Sequence, residues 1–436
     1  MKIDTLKLKN FRCFEDETFS FDDRMTVIIG NNTSGKTSLL EAASVAMGGF
    51  LLGIPHSYAG VTRQAHTRNI SNEDVRRYFA KGKEVIQTEF ASPICVSATG
   101  RVNDEDVEWE RYLEKLGART KNAAGCKSIQ NMATELYEKS INDGSATLPI
   151  LMHYGTGRLW AGQNTNIKKL TTTNTALGYY YSLKPDAQNK LLMPWIEKMH
   201  DISRDRDQRL SILDCVYNTI KHFIPESERC YFSREHNELT VVFNGKEFPF
   251  SLLSDGQRNI ISLVGDIAMR CAHLNQHLGL AAAKDTPGVV LVDELDTNIH
   301  PNWQKTLIPS LKDYFENIQF IVTTHSPFVI QSLKGGKLID LDSASSNNFQ
   351  LSQAWKQSVE EISQDLMHVK TSRSKEFQKM MAIAKSYYEL LNNGSNIGDT
   401  DVQSLKNQLD ELQIELSDDP TYVALLVAER RKRGLE

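Results

Sequence analysis

The sequence has no stretch approaching the roughly 20 consecutive apolar residues that a membrane-spanning helix needs. Its start, Met1-Lys2-Ile3-Asp4, lacks the basic opening and apolar core of a secretory leader. A cytoplasmic protein is the expectation. Cysteine is sparse, and its six positions (Cys13, Cys95, Cys126, Cys215, Cys230, Cys271) include no CxxC pair. That argues against a disulfide framework and against a cysteine zinc site. Only 12 prolines occur, and 40% of residues are apolar against 24% charged, so neither a fibre nor wholesale disorder is in view. Positive charge is not in excess either. A net charge of -5 excludes histone-like coating of nucleic acid and leaves only local basic patches for such contact. At 436 residues the chain is expected to form two or more subdomains, or one large α/β domain with insertions.

What is present is α/β alternation in two blocks. Residues 3–8 alternate as a strand, with 17–21 as hairpin partner across a turn at 12–16. The run Met25-Thr26-Val27-Ile28-Ile29 reads as a strand buried on both faces. From Thr37 the period is helical, and Gly48-Gly49 is predicted to close that helix. Residues 51–238 are mixed: a basic stretch from Arg63 to Lys83, a strand at 94–99, an acidic turn near Asp104, and an apolar segment from Leu148 to Tyr154 entering the loop Gly155-Thr156-Gly157-Arg158. From residue 239, strands at 239–243, 289–292, 319–323 and 337–341 alternate with helices at 256–273 and 302–317. A polar loop at 342–348 opens a mostly helical tail.

Gly30-Asn31-Asn32-Thr33-Ser34-Gly35-Lys36-Thr37 fits G-x-x-x-x-G-K-[ST] and lies between an apolar strand and a helix, the context that motif needs. Successive N–H groups of such a loop converge on a β-phosphate and the helix N-terminus adds positive potential. Lys36 is placed to reach the β- and γ-phosphates, Thr37 offers a hydroxyl to Mg²⁺, and Ser38 follows on the same helix turn. ATP with Mg²⁺ is the expected ligand. Val289-Val290-Leu291-Val292-Asp293-Glu294 has the form of a buried parallel strand delivering two acids at its C-terminal edge. Asp293 is the candidate metal ligand beside Thr37, and Glu294 the candidate that orients and polarises the attacking water.

Leu253-Ser254-Asp255-Gly256-Gln257 resembles the LSGGQ signature of ABC-type ATPases, with Asp255 in place of a glycine. Ser254 can cap a helix beginning at Gly256, making a second anion site. In that family the anion is the γ-phosphate held by the opposing protomer. Thr323-Thr324-His325-Ser326-Pro327 resembles the family's switch histidine, which places His325 with Glu294 among the catalytic residues. Leu295-Asp296-Thr297-Asn298-Ile299-His300-Pro301 resembles the D-loop of the SMC/RecF-like branch, and residues 6–14 resemble its opening. Arg12 there either touches a phosphate or is a solvated turn arginine. No sustained heptads separate Thr37 from Ser254, so the compact RecF-like or overcoming-lysogenisation-like (OLD-like) subtype fits better than an SMC protein. Gln64 and Gln87 are both candidates for the Q-loop. The resemblance implies an α/β fold: a P-loop ABC-type ATPase head at 1–50 and 239–345, a mixed α/β insertion or lid at 51–238, and a helical region at 346–436 for partner binding or oligomerisation.

In the tail, Val402, Leu405, Leu409, Leu412 and Leu416 recur at steps of three and four, a seam too short to stand alone. It packs either on its own ATPase head or on a partner. Asp340 and Asp342 mimic a DxD metal motif but lack an acidic upstream strand, so no nuclease activity of its own is expected. The whole layout resembles PtuA, the ATPase component of Septu-type and retron-associated anti-phage systems. That resemblance implies a homodimer or higher assembly, a partner HNH nuclease (PtuB) and, in retrons, a reverse transcriptase with its DNA–RNA hybrid. Two other readings stand beside it: a RecF/SMC-like repair clamp that binds DNA directly, and a non-hydrolysing nucleotide-bound scaffold.

Overall fold

Five short strands build the central sheet in the order Lys337–Asp340, Met25–Ile29, Ile318–Thr323, Gly288–Val292 and Ile150–Tyr154. All of these pairings are parallel, and the three inner strands are buried on both faces, which is why they read as continuous apolar runs rather than alternations. The protein, seen here as a computed structural model, is described over residues 1–55, 67–79, 88–144, 146–159, 175–185, 191–342, 351–369, 375–392 and 399–415. Its contacts divide it into two units, Met1–Ile362 and Ser363–Glu436.

A second, antiparallel sheet joins Phe14–Ser20, Lys2–Phe11, Ile94–Val102, Glu105–Leu113 and Lys121–Asn122 in that order. The opening hairpin is longer than its alternation suggests, with Phe11 opposite Phe14 across a two-residue turn. The acidic turn near Asp104 is real, with Asn103 and Asp104 at φ of 51° and 64°, the left-handed pair of a tight hairpin. Helix Lys36–Leu51 lies between the two sheets and is buried around nearly its whole circumference. It does not stop at Gly48-Gly49. A Cβ on Gly48 would lie 2.6 Å from the Arg111 guanidinium and 2.8 Å from the Arg68 carbonyl, so close packing, not capping, requires the glycine there.

The segment 51–238 does not stand apart as one lid. Ile94–Val102 and Glu105–Leu113 extend the sheet begun by the N-terminal hairpin, while Ile150–Tyr154 joins the central sheet beside Gly288–Val292. Helix Ser211–Phe223 packs on helix Asp255–Leu274, and Ser227–Ser233, Glu238–Phe243 and Lys246–Pro249 form a three-stranded antiparallel sheet. No helix among the described residues is long and apolar enough to cross a membrane.

In the second unit, helices Lys375–Asn392 and Thr400–Glu415 pack into a hairpin. Met380, Ala384, Tyr387, Val402 and Leu409 form its core, with Leu405 partly buried against it. Val402, Leu405 and Leu409 of the leucine seam are thus covered by the preceding helix of their own unit. The side chain of Leu412, together with Leu416, Gln64 and Gln87, lies outside the described residues.

Candidate nucleotide site

Parallel strands deliver their following loops to one edge, and here that edge gathers the motif residues. After Ile29 the chain turns through the phosphate loop into helix Lys36–Leu51, whose N-cap, Gly35, has φ of 103°, a conformation that favours glycine. The turn at Cys13 and Phe14 packs directly on it, since a Cβ at Gly35 would lie 2.6 Å from Cys13 Sγ. Lys36 Nζ donates to the carbonyls of Gly30 (2.7 Å) and Asn31 (2.9 Å). Burial lowers its pKa, and the carboxylates of Asp293, Asp342 and Glu294 oppose that shift. The Ser34 hydroxyl in this loop is buried without a hydrogen-bond partner.

Thr37 and Asp293, 256 positions apart, meet: Thr37 Oγ1 donates to Asp293 Oδ2 at 2.7 Å. The other oxygen of Asp293 accepts from Thr323 Oγ1 at 2.6 Å, and its N–H donates to the Tyr154 carbonyl at 2.8 Å. Glu294 follows with φ of 47°, a left-handed turn that costs about 1 kcal/mol and redirects the chain at the strand end. Its N–H donates to Thr323 Oγ1 (2.7 Å), and its carboxylate accepts from Thr297 Oγ1 (3.2 Å). Asp296 ties this loop to the next: its Oδ1 accepts from Thr324 Oγ1 (2.5 Å) and from the His325 N–H (3.2 Å). Acid pair, D-loop and histidine loop therefore form one hydrogen-bonded edge.

Ser254 caps helix Asp255–Leu274, one residue earlier than expected, in a capping box with Gln257. Asp255 pairs with Arg258, and Asn259 Nδ2 donates to the Thr297 carbonyl at 2.5 Å, linking the signature helix to the D-loop. Among the described residues, no hydrogen bond of the Ser254–Gln257 turn reaches the phosphate loop. Arg12, with φ of 51°, directs its guanidinium to Asp74 Oδ1 at 2.9 Å. Asp74 is fully buried and also holds Arg68, which pairs in turn with Glu41 on the phosphate-loop helix at 2.8 Å.

Several residues here carry no motif. Tyr154 Oη donates to Asp266 Oδ2 at 2.8 Å, and Arg270 Nε donates to the same oxygen at 2.9 Å, all of it buried. The signal was present as an i,i+4 acid–base pair inside the otherwise apolar stretch of the signature helix. Gly155 follows Tyr154 at the sheet edge beside Asp293. Asp342 of the DxD-like pair also reaches this edge: its carboxylate accepts the Asn31 N–H at 2.5 Å.

An unpartnered Ser34 hydroxyl, Lys36 and the Thr37–Asp293 pair suit a nucleoside triphosphate with Mg²⁺. An AAA domain family model matches residues 5–224, and a second AAA domain model matches 166–331. The chain is 26% identical over 454 aligned positions to the retron Vc95 probable ATPase of Vibrio cholerae serotype O1 biovar El Tor, covering 89% of this chain and 84% of that protein. It is 31% identical over 137 positions to the Septu protein PtuA of Bacillus mycoides (strain KBAB4), covering 30% and 18%. Among solved structures, the SMC head domain from Thermotoga maritima aligns with a TM-score of 0.42 at 16% identity, over 78% of this chain and 94% of that one. With half its length matched by one model, and a phosphate loop and acid pair on a parallel sheet, the chain belongs to the AAA domain family and has an α/β fold with a P-loop.

Proposed function

We propose that this chain is a Mg²⁺-ATP-dependent ABC-class ATPase that closes into a homodimer or higher assembly through composite nucleotide sites and controls a partner nuclease in bacterial anti-phage defence. The observation that carries the ATPase reading is the 2.7 Å contact of the Thr37 hydroxyl with the Asp293 carboxylate, two hard oxygen donors converging beside Lys36. Thr37 and Asp293 would hold Mg²⁺, which would supply positive charge to offset the charge that develops on the phosphate oxygens. The phosphate-loop amides from Gly30 to Thr37, with Ser38, cradle the phosphates, and Lys36 offsets the charge of the β/γ pair. Glu294 orients a water in line with the γ-phosphorus and takes its proton as the new P–O bond forms and the bond to the β-bridging oxygen breaks. His325, whose backbone is held by Asp296, reads the γ-phosphate from the neighbouring strand end.

The Ser254 cap, with Asp255, Gly256 and Gln257, acts in trans on the opposing protomer's nucleotide. The bonds within its own turn, and the bond from Asn259 of the same helix to the Thr297 carbonyl, support that role. The defence role rests on the names of the relatives, a retron ATPase and a Septu PtuA. The test is co-expression with the neighbouring genes. An HNH nuclease that co-purifies, with ATP hydrolysis lost in Lys36→Ala, is the expected result. Salt-sensitive duplex binding by the isolated chain, with no nuclease partner, would instead support a DNA clamp.

A further inference from the structure

Strand Lys337–Asp340 runs parallel to Met25–Ile29 with Asp340 opposite Ile29, and the Leu341 N–H donates to the Ile29 carbonyl at 3.1 Å. The chain therefore leaves the sheet alongside the start of the phosphate loop. There the exposed Asp342 carboxylate accepts the Asn31 N–H through Oδ2 at 2.5 Å, and its own N–H is tied to Asp340 Oδ1 at 2.9 Å. Lys36 also feels this carboxylate, together with those of Asp293 and Glu294. A loop whose N–H groups serve phosphate oxygens thus has one of them, and part of its lysine's field, engaged by an anion of the protein itself.

We infer, on the basis of the phosphate-loop reading, that Asp342 is a specificity-determining residue of the nucleotide site. Its carboxylate competes with an incoming phosphate for the Asn31 N–H and for Lys36. Coulomb repulsion scales with the product of the charges, so an anion is penalised more the less of its charge a divalent cation has neutralised. Metal-free ATP and tripolyphosphate are disfavoured relative to Mg²⁺-ATP. Because Asp342 is exposed, its displaced carboxylate returns to water, which keeps the discrimination modest and sensitive to salt.

The test is equilibrium binding to the full chain, using tripolyphosphate in EDTA and ATP with and without Mg²⁺. Asp342→Asn should tighten tripolyphosphate and metal-free ATP by roughly three- to tenfold at low salt, from loss of a charged competitor. The gain for Mg²⁺-ATP should be smaller, and both should shrink as ionic strength rises. Asp342→Glu keeps the charge and should keep most of the wild-type discrimination. If Asp342→Asn lowers the melting temperature, Asp342→Ser carries the same comparison. Unchanged or weaker binding of both forms, or an equal gain with and without Mg²⁺, would overturn the inference and leave Asp342 as a loop brace. Tripolyphosphate binding that survives Lys36→Ala would instead overturn the phosphate-loop reading beneath it.

Discussion

Asp266 is the acid whose removal should cost this fold most. It is fully buried, it pairs with Arg270, itself 1% exposed, and it accepts the Tyr154 hydroxyl on the same oxygen. Arg270 also donates to the carbonyls of Gly178 (2.8 Å) and Tyr180 (3.0 Å), so the pair pins that backbone and the strand beside Asp293 to the signature helix. Asp266→Leu leaves the guanidinium buried with carbonyls only and the Tyr154 hydroxyl unpaired, an expected loss of about 3–5 kcal/mol. Tyr154→Phe removes one hydrogen bond and should cost only about 1 kcal/mol. The double variant Asp266→Leu/Arg270→Met removes both charges and should be clearly more stable than Asp266→Leu alone, because the uncompensated cation is gone. Urea unfolding followed by circular dichroism reads all three. A loss below about 1 kcal/mol for Asp266→Leu, or a double variant no better than that single one, would refute the reasoning.

Glu294→Gln keeps the shape of the edge but removes the proposed base, so the variant should bind ATP as the wild type does, turn over slowly and accumulate a larger assembly by light scattering. Leu409→Asp places a carboxylate at a position of 0% exposure in the tail hairpin, and should melt helices Lys375–Asn392 and Thr400–Glu415, seen as lost helicity and new protease cuts there. Burial lowers the His153 pKa from its ordinary 6.5, so below that pH the unfolded chain takes up a proton that the folded chain resists. Stability is therefore full above about pH 6.5 and falls as the pH drops below it, and His153→Gln should flatten that acid limb of the melting curve.

Much of the central sheet was legible because its strands are buried on both faces and end in recognisable chemistry: glycine and lysine after Ile29, two acids after Val292, a histidine after Thr323. The fifth strand, Ile150–Tyr154, was visible as an apolar run, but its partner was not. Register with Gly288–Val292 is a long-range pairing that no local period encodes. The same holds for the opening hairpin, whose alternation marked a strand without revealing that Ile94–Val102 completes its sheet and so breaks up a supposed lid. Gly48-Gly49 misled because glycine serves close packing as well as helix termination, and only the position of Arg111 and Trp109 decides which. The tail seam was correctly read as apolar and in need of cover, yet nothing local in the preceding helix, with its Phe377, Met380, Ile383 and Tyr387, marks it as the mate. Asp342 was noticed as half of a DxD-like pair. Its contact with Asn31 depends on two strands, far apart in the chain, lying side by side.

The composite-site proposal is tested most directly by mixing two inactive proteins. Lys36→Ala removes the main side-chain neutraliser of the phosphates, and Ser254→Arg blocks the capped turn offered to the other protomer while leaving its own phosphate loop intact. Each variant alone should hydrolyse ATP at background rate. Mixed, they should regain activity, because a heterodimer pairs the intact phosphate loop of one protomer with the intact signature of the other. A mixture that shows only the summed background of its parents, while still assembling, would contradict nucleotide sites shared between protomers.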